Sequence, residues 1–450
     1  MKLAFQILIG AIPQARYAER GKMRVLWICN IMLPVIARDL GRECSNKEGW
    51  LAGLMDTLLA ESPQVELGVA FPVSPGEEMI RGETLGVHYY GFRENTGKPE
   101  IYDPGLERDM EEILRDFQPQ LLHCFGTEYP HTLAAVRSYG RPENTLVGIQ
   151  GLCAVYADAY MANTPREIWH TVTFRDWLKR DSLLRQQEKF RRRGQWEQEA
   201  VRLTGHVAGR TDWDRHWTTE WNPGARYHLL RETLRPCFYR GEWSYENCRR
   251  HSIFMSQGDY PIKGLHYMLD AMPAVLEQYP DAHLYVAGNC LLRKGPAAWF
   301  KISAYGKYLE RQIREYGLAD HVTFLGSLTG EQMKEQYLGC NVYVCASSIE
   351  NSPNSLGEAM LLGVPVVAGE VGGIGSMITP DEGWLFPGYQ GEDSGEGERI
   401  SKALGRNVLE VFAQGKQVAE RTKKARIHAG CTHDGAANLK QLMKLYEELS

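Results

Sequence analysis

The sequence lacks the features that define several common classes of protein. Its 450 residues include ten cysteines, but no two have the C-x2-C spacing of a zinc or redox site, and several (Cys29, Cys124, Cys345) lie inside apolar strand candidates. Lys and Arg number 51 against 56 Asp and Glu, so there is no general attraction to nucleic acid. The H-E-x-x-H, P-loop and G-x-S-x-G motifs are absent, and no hydrophobic run approaches transmembrane length. These absences, with a hydrophobic content of 43%, favour a cytosolic globular protein with reduced cysteines.

The first 22 residues form a separate case. The run from Leu3 to Ile12 is mostly apolar and follows Lys2, as in a weak signal peptide, but polar and glycine residues interrupt it and no clear cleavage site follows. The next residues, Met23 to Asn30, have the pattern of a buried first strand. We therefore expect Met23 to be the functional start and residues 1–22 to be a dispensable extension.

Short apolar runs alternate with helical patterns along the rest of the chain, which is typical of parallel sheets with crossover helices. The length allows two domains, each with its own core. The predicted strands are residues 24–29, 65–71, 86–90, 120–125, 145–149 and 206–208, then 252–256, 283–287, 322–325, 341–346, 365–368 and 384–386. The sequence therefore predicts an α/β fold of two Rossmann-like doubly wound domains, 23–245 and 246–430, followed by a C-terminal helix in 431–450. A ligand is expected in the cleft between the domains.

Residues 164–203 stand out within the first domain. They hold 10 Lys and Arg against 6 Asp and Glu, with tryptophan, phenylalanine and leucine residues between them. One interpretation is an amphipathic helical insertion that packs on the first domain. The other is a face that touches an anionic membrane or a lipid-linked acceptor.

The most informative stretch places two carboxylates, Glu350 and Glu358, on either side of a strand-loop-helix junction, with seven residues between them. Pro353 excludes an earlier helix start, and Asn354 or Ser355 is expected to cap the helix. A helix N-terminus with free N–H groups thus lies between the two glutamates. Phosphate on the helix end and hydroxyls on the carboxylates would suit a nucleotide sugar.

The stretch ENSPNSLGEAMLLGVPVV, from Glu350 to Val367, resembles the E-x7-E motif of the retaining glycosyltransferases of family 4, which have the two-domain GT-B fold. The resemblance implies that Glu350 contacts the donor sugar and that Glu358 binds the nucleotide ribose. It also implies a final helix that returns to the first domain. The donor-binding residues predicted between the two glutamates are Ser352, Pro353, Asn354, Ser355 and Leu356.

The stretch YPIKGL, Tyr260 to Leu265, resembles a second site of the same family. The resemblance implies that Lys263 of the Lys263-Gly264 pair neutralises the leaving phosphate. The family usually has an arginine five residues before this lysine, but here the position is Gly258. Arg210, which ends the last first-domain strand, is our candidate for the missing cation; the alternative for Arg210 is a structural salt bridge.

The segment LLHCFGTEYPH ends a first-domain strand where the family has a functional histidine, which implies a catalytic place for His123. Glu128 and His131 are close enough in sequence to share the site. The alternative is that His123 is a hydrogen-bonded core histidine.

Two further segments are expected at the cleft. Glu48, Gly49 and Trp50 lie where the family has a glycine-rich loop, and the resemblance implies that they shape the acceptor site. Gly326 ends a second-domain strand, where the family's backbone contacts the base. The pair Asp212 and Asp214 matches the D-x-D signature of metal-dependent glycosyltransferases of another fold; we discount it and expect neither metal nor cofactor.

Taken together, the sequence predicts a metal-independent retaining glycosyltransferase that moves a sugar from a nucleotide-diphosphate sugar to a glycan or lipid-linked acceptor. We expect it in bacterial surface-polysaccharide synthesis, in the cytoplasm at the inner face of the membrane, with no nucleic-acid partner. The alternatives are a catalytically inactive nucleotide-sugar-binding subunit, an epimerase or phosphorylase of the same fold, and a glycoside hydrolase that uses Glu350 and Glu358 as its acid/base pair.

Overall fold

A parallel sheet organises each half of the chain. The computed structural model describes residues 21–43, 49–292, 298–393 and 395–450. The predictions for residues 1–20 and for Glu48 lie outside these ranges.

The first sheet has eight strands in the described residues, in the order β3-β4-β2-β1-β5-β6-β7-β8. All neighbours are parallel except β3 and β4, which form an antiparallel edge. The strands are β1 (Met23–Ile28), β2 (Val65–Val73), β3 (Ile80–Thr84), β4 (Val87–Arg93), β5 (Leu121–Phe125), β6 (Thr145–Gly148), β7 (His206–Gly209) and β8 (Arg226–Leu229). The central strands β1 and β5 are almost wholly buried because helices cover both faces of the sheet.

Nine helices of the described residues belong to this first half. They are α1 (Pro34–Asp39), α2 (Gly49–Glu61), α3 (Gly105–Phe117), α4 (Pro130–Tyr139), α5 (Cys153–Asp158), α6 (Arg166–Trp169), α7 (Phe174–Lys179), α8 (Leu183–Leu203) and α9 (Asp212–Trp221). The insertion predicted at 164–203 consists of α6, α7 and α8. Helix α8 lies so close to α5 that a Cβ atom on Gly194 would be 2.5 Å from the Cα atom of Ala154. The long helix of the insertion is therefore packed on the first domain.

The second sheet has six parallel strands in the described part of the chain, in the order β11-β10-β9-β12-β13-β14. They are β9 (Ser252–Met255), β10 (His283–Ala287), β11 (Val322–Gly326), β12 (Val342–Cys345), β13 (Val366–Glu370) and β14 (Trp384–Pro387). The accompanying helices are α10 (Leu265–Gln278), α11 (Ala298–Lys301), α12 (Ala304–Glu315), α13 (Gly330–Gly339), α14 (Asn354–Leu362), α15 (Glu396–Gln414), α16 (Ala419–Thr432) and α17 (Gly435–Leu449). Two doubly wound Rossmann-like domains result, as the alternation in the sequence predicts.

The last helix, α17, packs against the first sheet. Tyr446 is fully buried there, and its hydroxyl accepts a hydrogen bond of 2.8 Å from Nε1 of Trp27 in β1. The chain thus crosses back and ties its end to its first strand.

Every strand predicted from the sequence has a counterpart, but β3 and β8 were not predicted. Both are edge strands with partly exposed, polar sequences, IRGET and RYHL. A strand that buries neither face fully leaves only a weak apolar signal in the sequence.

Among the residues described, no helix combines the length and the apolar character needed to cross a bilayer.

Candidate functional site

The site begins at the point where the second sheet changes direction. Strands β9 and β12 are neighbours, but the chain continues from β9 toward one edge of the sheet and from β12 toward the other. Loops that leave the carboxyl ends of such strands diverge and open a crevice for ligands. Lys263 lies in the loop after β9, and Glu350 lies in the loop after β12.

The structure brings these two predicted residues into contact. Nζ of Lys263 lies 2.5 Å from Oε1 of Glu350, and the hydroxyl of Ser347 donates to the same oxygen at 2.8 Å. Burial by itself lowers the pKa of Lys263, but the adjacent Glu350 carboxylate outweighs it and holds the pKa well above its ordinary value. The crevice therefore contains a lysine that stays charged and a carboxylate fixed beside it.

Two glycines shape the loop that carries Lys263. Gly264 has a φ of +68°, and a Cβ atom there would lie 1.9 Å from the carbonyl oxygen of Ala346, so the position requires glycine. A Cβ atom on Gly258 would lie 2.7 Å from Cδ2 of Leu265 and 3.1 Å from Cγ1 of Val286. Position 258 faces this packed apolar interior, which explains physically why the expected arginine is missing.

Helix α14 begins at Asn354, within the predicted range, but no side chain caps it. The N-cap position is Pro353, rather than Asn354 or Ser355 as the sequence predicted. The hydroxyl of Ser355 instead accepts a hydrogen bond of 2.9 Å from the hydroxyl of the buried Tyr343. The first N–H groups of the helix, those of Asn354 and Ser355, have no side-chain cap competing with an anionic ligand.

Glu358 lies one turn into α14, as predicted, and its carboxylate is 3% exposed. It accepts hydrogen bonds from Nε and Nη2 of Arg235 at 2.9 and 2.7 Å. Burial raises the pKa of Glu358 to about 7, against the opposing effect of Arg235. Each glutamate thus has its own cation, which disfavours a facing acid/base pair and hence the hydrolase alternative.

Arg235 was not predicted. It follows the last strand of the first domain and reaches Glu358 in the second, and its side chain packs over Gly49 at the start of α2. It is therefore a cation beside Glu358, contributed by the segment that joins the two domains.

Arg210, our candidate for the missing cation, lies in a buried ion pair. Its Nη1 is 2.6 Å from Oε2 of Glu232, and its Nη2 donates to the carbonyl oxygens of Ile149 and Gln150. Burial raises the pKa of Glu232, whereas Arg210 and the side chain of Asn354 lower it. Arg210 is thus held by Glu232, which itself contacts the first residue of α14. The structure matches the alternative in which Arg210 forms a structural salt bridge. The Arg210–Glu232 pair nevertheless lies beside the N-terminus of α14.

Asn351, inside the glutamate motif, joins the two domains. Its side-chain oxygen accepts from the hydroxyl of Thr211 at 2.6 Å, and its Nδ2 donates to Asp214 at 2.9 Å and to the Gln150 carbonyl at 3.2 Å. Its backbone N–H donates to the hydroxyl of Tyr156 at 3.0 Å. The loop that carries Glu350 is thereby attached to the first domain, a link that no sequence pattern indicated.

Asp214, half of the discounted D-x-D pair, has a structural role. It forms a capping box with Thr211 at the start of α9 and also accepts a hydrogen bond from the hydroxyl of Tyr227 at 2.6 Å. Its carboxylate therefore caps α9 and accepts a hydrogen bond from the side chain of Asn351.

A Gly-Gly turn after β13 completes the wall beside Glu350. A Cβ atom on Gly372 would lie 1.9 Å from the carbonyl oxygen of Glu350, and the N–H of Gly373 donates to that oxygen at 2.9 Å. The paired glycines after a buried strand were a usable signal that the sequence interpretation missed.

The first sheet has its own change of direction, between β1 and β5, and a buried polar cluster lies there. His131 bridges Glu94 and Asn30, with Nδ1 2.7 Å from Oε2 of Glu94 and Nε2 3.0 Å from Oδ1 of Asn30. Glu128 accepts a hydrogen bond from the N–H of Gly151 at 3.2 Å. One oxygen of Glu94 and one of Glu128 are buried without a hydrogen-bond partner among the described residues. We refer to Asn30, Glu94, Glu128 and His131 as the first-domain polar cluster.

His123 lies deeper than its predicted catalytic role requires. It is 1% exposed, and its Nδ1 lies 2.7 Å from the hydroxyl of Tyr446, whose own acceptor position is taken by Trp27. Burial lowers the pKa of His123 to about 3, so the ring is neutral. The structure therefore matches the alternative of a hydrogen-bonded core histidine.

The remaining predicted residues lie at the edges of the site. Trp50 is buried against Phe125 and lines a small cavity beside His123, so its side chain is part of the core. Leu356 is fully buried and can meet a ligand only through its backbone. Ser352 lines an interdomain cavity of about 210 Å³. Gly326 ends β11 with a φ of +76° and open space around it.

The architecture is that of GT-B proteins. Sucrose-phosphate synthase from Thermosynechococcus elongatus superposes with a TM-score of 0.64 at 16% identity, covering 95% of this chain and 99% of that one. The Anabaena protein HepE in complex with UDP-glucose gives a TM-score of 0.61 at 16% identity, covering 94% and 99%. These likenesses establish the two-domain fold with its central cleft.

Sequence comparison adds a family match for the second domain. Residues 249–418 match the family model described as glycosyl transferases group 1. An uncharacterised glycosyltransferase of Methanocaldococcus jannaschii is 32% identical over 127 residues, which is 28% of this chain and 29% of that protein. A phosphatidyl-myo-inositol mannosyltransferase of Mycobacterium leprae is 27% identical over 211 residues, which is 46% and 48%. The chain thus spans less than half the length of these curated relatives.

Proposed function

We propose that the protein is a retaining glycosyltransferase of the family 4 type that uses a nucleotide-diphosphate sugar. The observation that carries the proposal is the contact between Lys263 and Glu350 beside the uncapped start of α14, inside the segment that matches the glycosyl transferases group 1 model. The crevice offers a fixed cation and free N–H groups to a diphosphate, and carboxylates to the hydroxyls of a sugar and a ribose.

The chemistry requires stabilisation of the negative charge that grows on the departing diphosphate. Lys263 and the N–H groups of Asn354 and Ser355 can supply it, and donors already in place need no reorganisation during the reaction. Glu350 keeps Lys263 oriented and accepts hydrogen bonds from the donor sugar. In this proposal neither a metal nor a cofactor is needed, and the acceptor attacks from the face that the diphosphate leaves.

The acceptor is proposed to bind at the first-domain polar cluster. The unpartnered oxygens of Glu94 and Glu128 are buried acceptors, and leaving such groups unsatisfied is costly, so a hydroxyl donor from a ligand is favoured. This suits a glycan or the sugar of a lipid-linked acceptor in bacterial surface-polysaccharide synthesis, at the inner face of the membrane. Glu128 is connected to the donor side, because it binds Gly151, Gly151 packs on Tyr156, and Tyr156 binds Asn351.

Two measurements test the proposal. A thermal-shift screen against UDP, GDP, ADP and their sugars, with and without EDTA, identifies the donor; stabilisation only with a divalent metal would contradict the metal-free site.

Donor hydrolysis or transfer is then measured for the wild type, Lys263→Ala and Glu350→Ala. Activity that both variants lose supports an enzyme with this site. Nucleotide-sugar binding without any turnover would instead identify an inactive binding subunit, and full activity in both variants would overturn the site assignment.

A further inference from the structure

The short helix α7 in the insertion exposes its apolar side chains to solvent and buries an acidic one. Its apolar residues face outward, with Phe174 45%, Trp177 66% and Leu178 65% exposed, whereas Asp176 is 1% exposed. Positions i, i+3 and i+4 of a helix share one face, so these three apolar side chains form a single patch.

The polar interior contacts hold this orientation in place. Thr173 and Asp176 form a capping box, and the Asp176 carboxylate also accepts from the backbone N–H of Ala304 at 2.9 Å and pairs with Arg175 at 2.9 Å. The capping box and the Arg175 pair lie within the helix, but the bond to Ala304 is made to another element, and rotation of α7 to hide its apolar face would break it and expose the buried Asp176 side of the helix. The outward apolar patch is therefore built into the fold.

The patch continues beyond α7. Val172, just before the helix, is 57% exposed, and Phe300 of α11 is 50% exposed and packs edge-on against Phe174 with ring centroids 5.5 Å apart. Residues of both domains thus contribute to one apolar surface. Contiguous exposed apolar patches of this kind mark interaction sites.

A basic rim surrounds the apolar surface. Residues 172–192 hold seven Lys and Arg against three Asp and Glu, in a chain whose net charge is −5. Lys179, Arg180, Arg185 and Arg191 are exposed and form no ion pair with any described residue.

An open groove of about 610 Å³ runs between α7 and α8. Trp177 and Leu178 line it together with Arg180, Arg185 and Arg192, and the carboxylates of Glu100 and Glu188 also reach it, as does Lys189. Arg192 pairs with Glu188 at 3.1 Å and Lys189 lies near Glu100. Arg180 and Arg185 are the groove cations that pair with none of the residues described in the structure.

We propose that this surface docks the protein onto an anionic phospholipid bilayer. We call it the docking face: Val172, Phe174, Trp177 and Leu178, rimmed by Lys179, Arg180 and Arg185. Trp and Phe side chains prefer the membrane–water interface, and lysine and arginine beside them are attracted to anionic lipid headgroups. A second copy docked through the same face would place one basic rim against another, so the charge of the rim favours an anionic bilayer as the occupant.

The experiment is vesicle flotation of the full chain. Wild-type protein is mixed with vesicles of phosphatidylcholine alone or of phosphatidylcholine with phosphatidylglycerol, at low and high salt. We expect binding to the anionic vesicles that weakens at high salt. The double variant Trp177→Ala/Leu178→Ala and the charge variant Arg180→Glu/Arg185→Glu should each lower the bound fraction by roughly tenfold or more.

The matched control is Leu85→Ala/Ile427→Ala, which removes two exposed apolar side chains elsewhere, 76% and 60% exposed, and should bind like the wild type. Circular dichroism confirms that each variant is folded. Donor hydrolysis with a soluble nucleotide sugar should be unchanged in the docking-face variants, so this test is independent of the proposed function. The proposal is overturned if the wild type ignores anionic vesicles, if the docking-face variants bind as well as the wild type, or if those variants abolish a dimer instead.

Discussion

The two sheets change direction in the same way, but the groups at the two crevices differ in kind. In the second domain the crevice holds Lys263 in contact with Glu350, next to a helix that starts without a side-chain cap. In the first domain the corresponding crevice holds two carboxylates, an imidazole and an amide. Under the proposed function, these two crevices are an anion-binding half and a hydroxyl-binding half of the same cleft.

Under the proposed function, this difference divides the two substrates between the two domains. A nucleotide-diphosphate sugar carries negative charge, which suits the lysine and the helix N-terminus but not the first-domain carboxylates. An acceptor that offers hydroxyls suits those carboxylates. Asn351 fastens the two halves together through Thr211 and Asp214.

The largest effect is expected for Lys263→Ala. Removal of the cation that meets the departing diphosphate should lower the transfer rate by about 10² to 10³, the loss typical of a single electrostatic group in a preorganised site. Initial rates at saturating donor measure it, with the exposed Lys307→Ala as the charge-matched control. A rate within twofold of the wild type would show that the anion-binding half lies elsewhere.

Asn351→Ala should weaken the link between the halves. The change leaves the buried Asp214 and Thr211 short of a partner, which should lower the free energy of unfolding by about 1–3 kcal/mol. Urea denaturation with and without nucleotide sugar measures it. If the domains meet only in the ligand-bound state, the loss will appear only in the presence of ligand, and the free protein will keep its stability.

Glu94→Gln should weaken binding of the acceptor without changing the reaction of the donor with water. The variant removes the charge that faces both His131 and the proposed acceptor hydroxyl, so the KM for the acceptor should rise by about tenfold, while donor hydrolysis stays the same. Glu111→Gln, an exposed residue of α3, is the control. Equal losses in transfer and in donor hydrolysis would assign Glu94 a structural role instead.

The smallest effect concerns pH. Burial raises the pKa of Glu358 to about 7, so the carboxyl is mostly neutral below this pH and charged above it. A raised pKa means that its contribution to stability is full below the unfolded pKa and is lost as pH rises through about 7. Because a charged carboxylate is the stronger acceptor for ribose hydroxyls, the donor affinity should rise roughly threefold across the same range. Glu358→Gln should flatten this profile, which calorimetric titration at several pH values can check; an unchanged profile would remove Glu358 from ribose binding.

The sequence could predict the fold because its apolar runs are long and regular, and both Lys263 and Glu350 follow such runs directly. It named Glu128 and His131 but could not predict Asn30 and Glu94 beside them, since these lie far away in sequence. Arg235 and Asn351 could not be predicted either, because their partners belong to the other domain. The sequence left two interpretations of His123 open because a strand-end histidine and a core histidine have the same local pattern. Only the contact with Tyr446, from the last helix, distinguishes them.

The most direct test of the division between the halves is calorimetric titration of one nucleotide sugar, the one that most stabilises the wild type, into Lys263→Ala and Glu94→Gln in parallel. The account predicts that Lys263→Ala loses donor affinity by about tenfold or more, whereas Glu94→Gln binds the donor as the wild type does. Donor affinity that survives in Lys263→Ala and is lost in Glu94→Gln would contradict it.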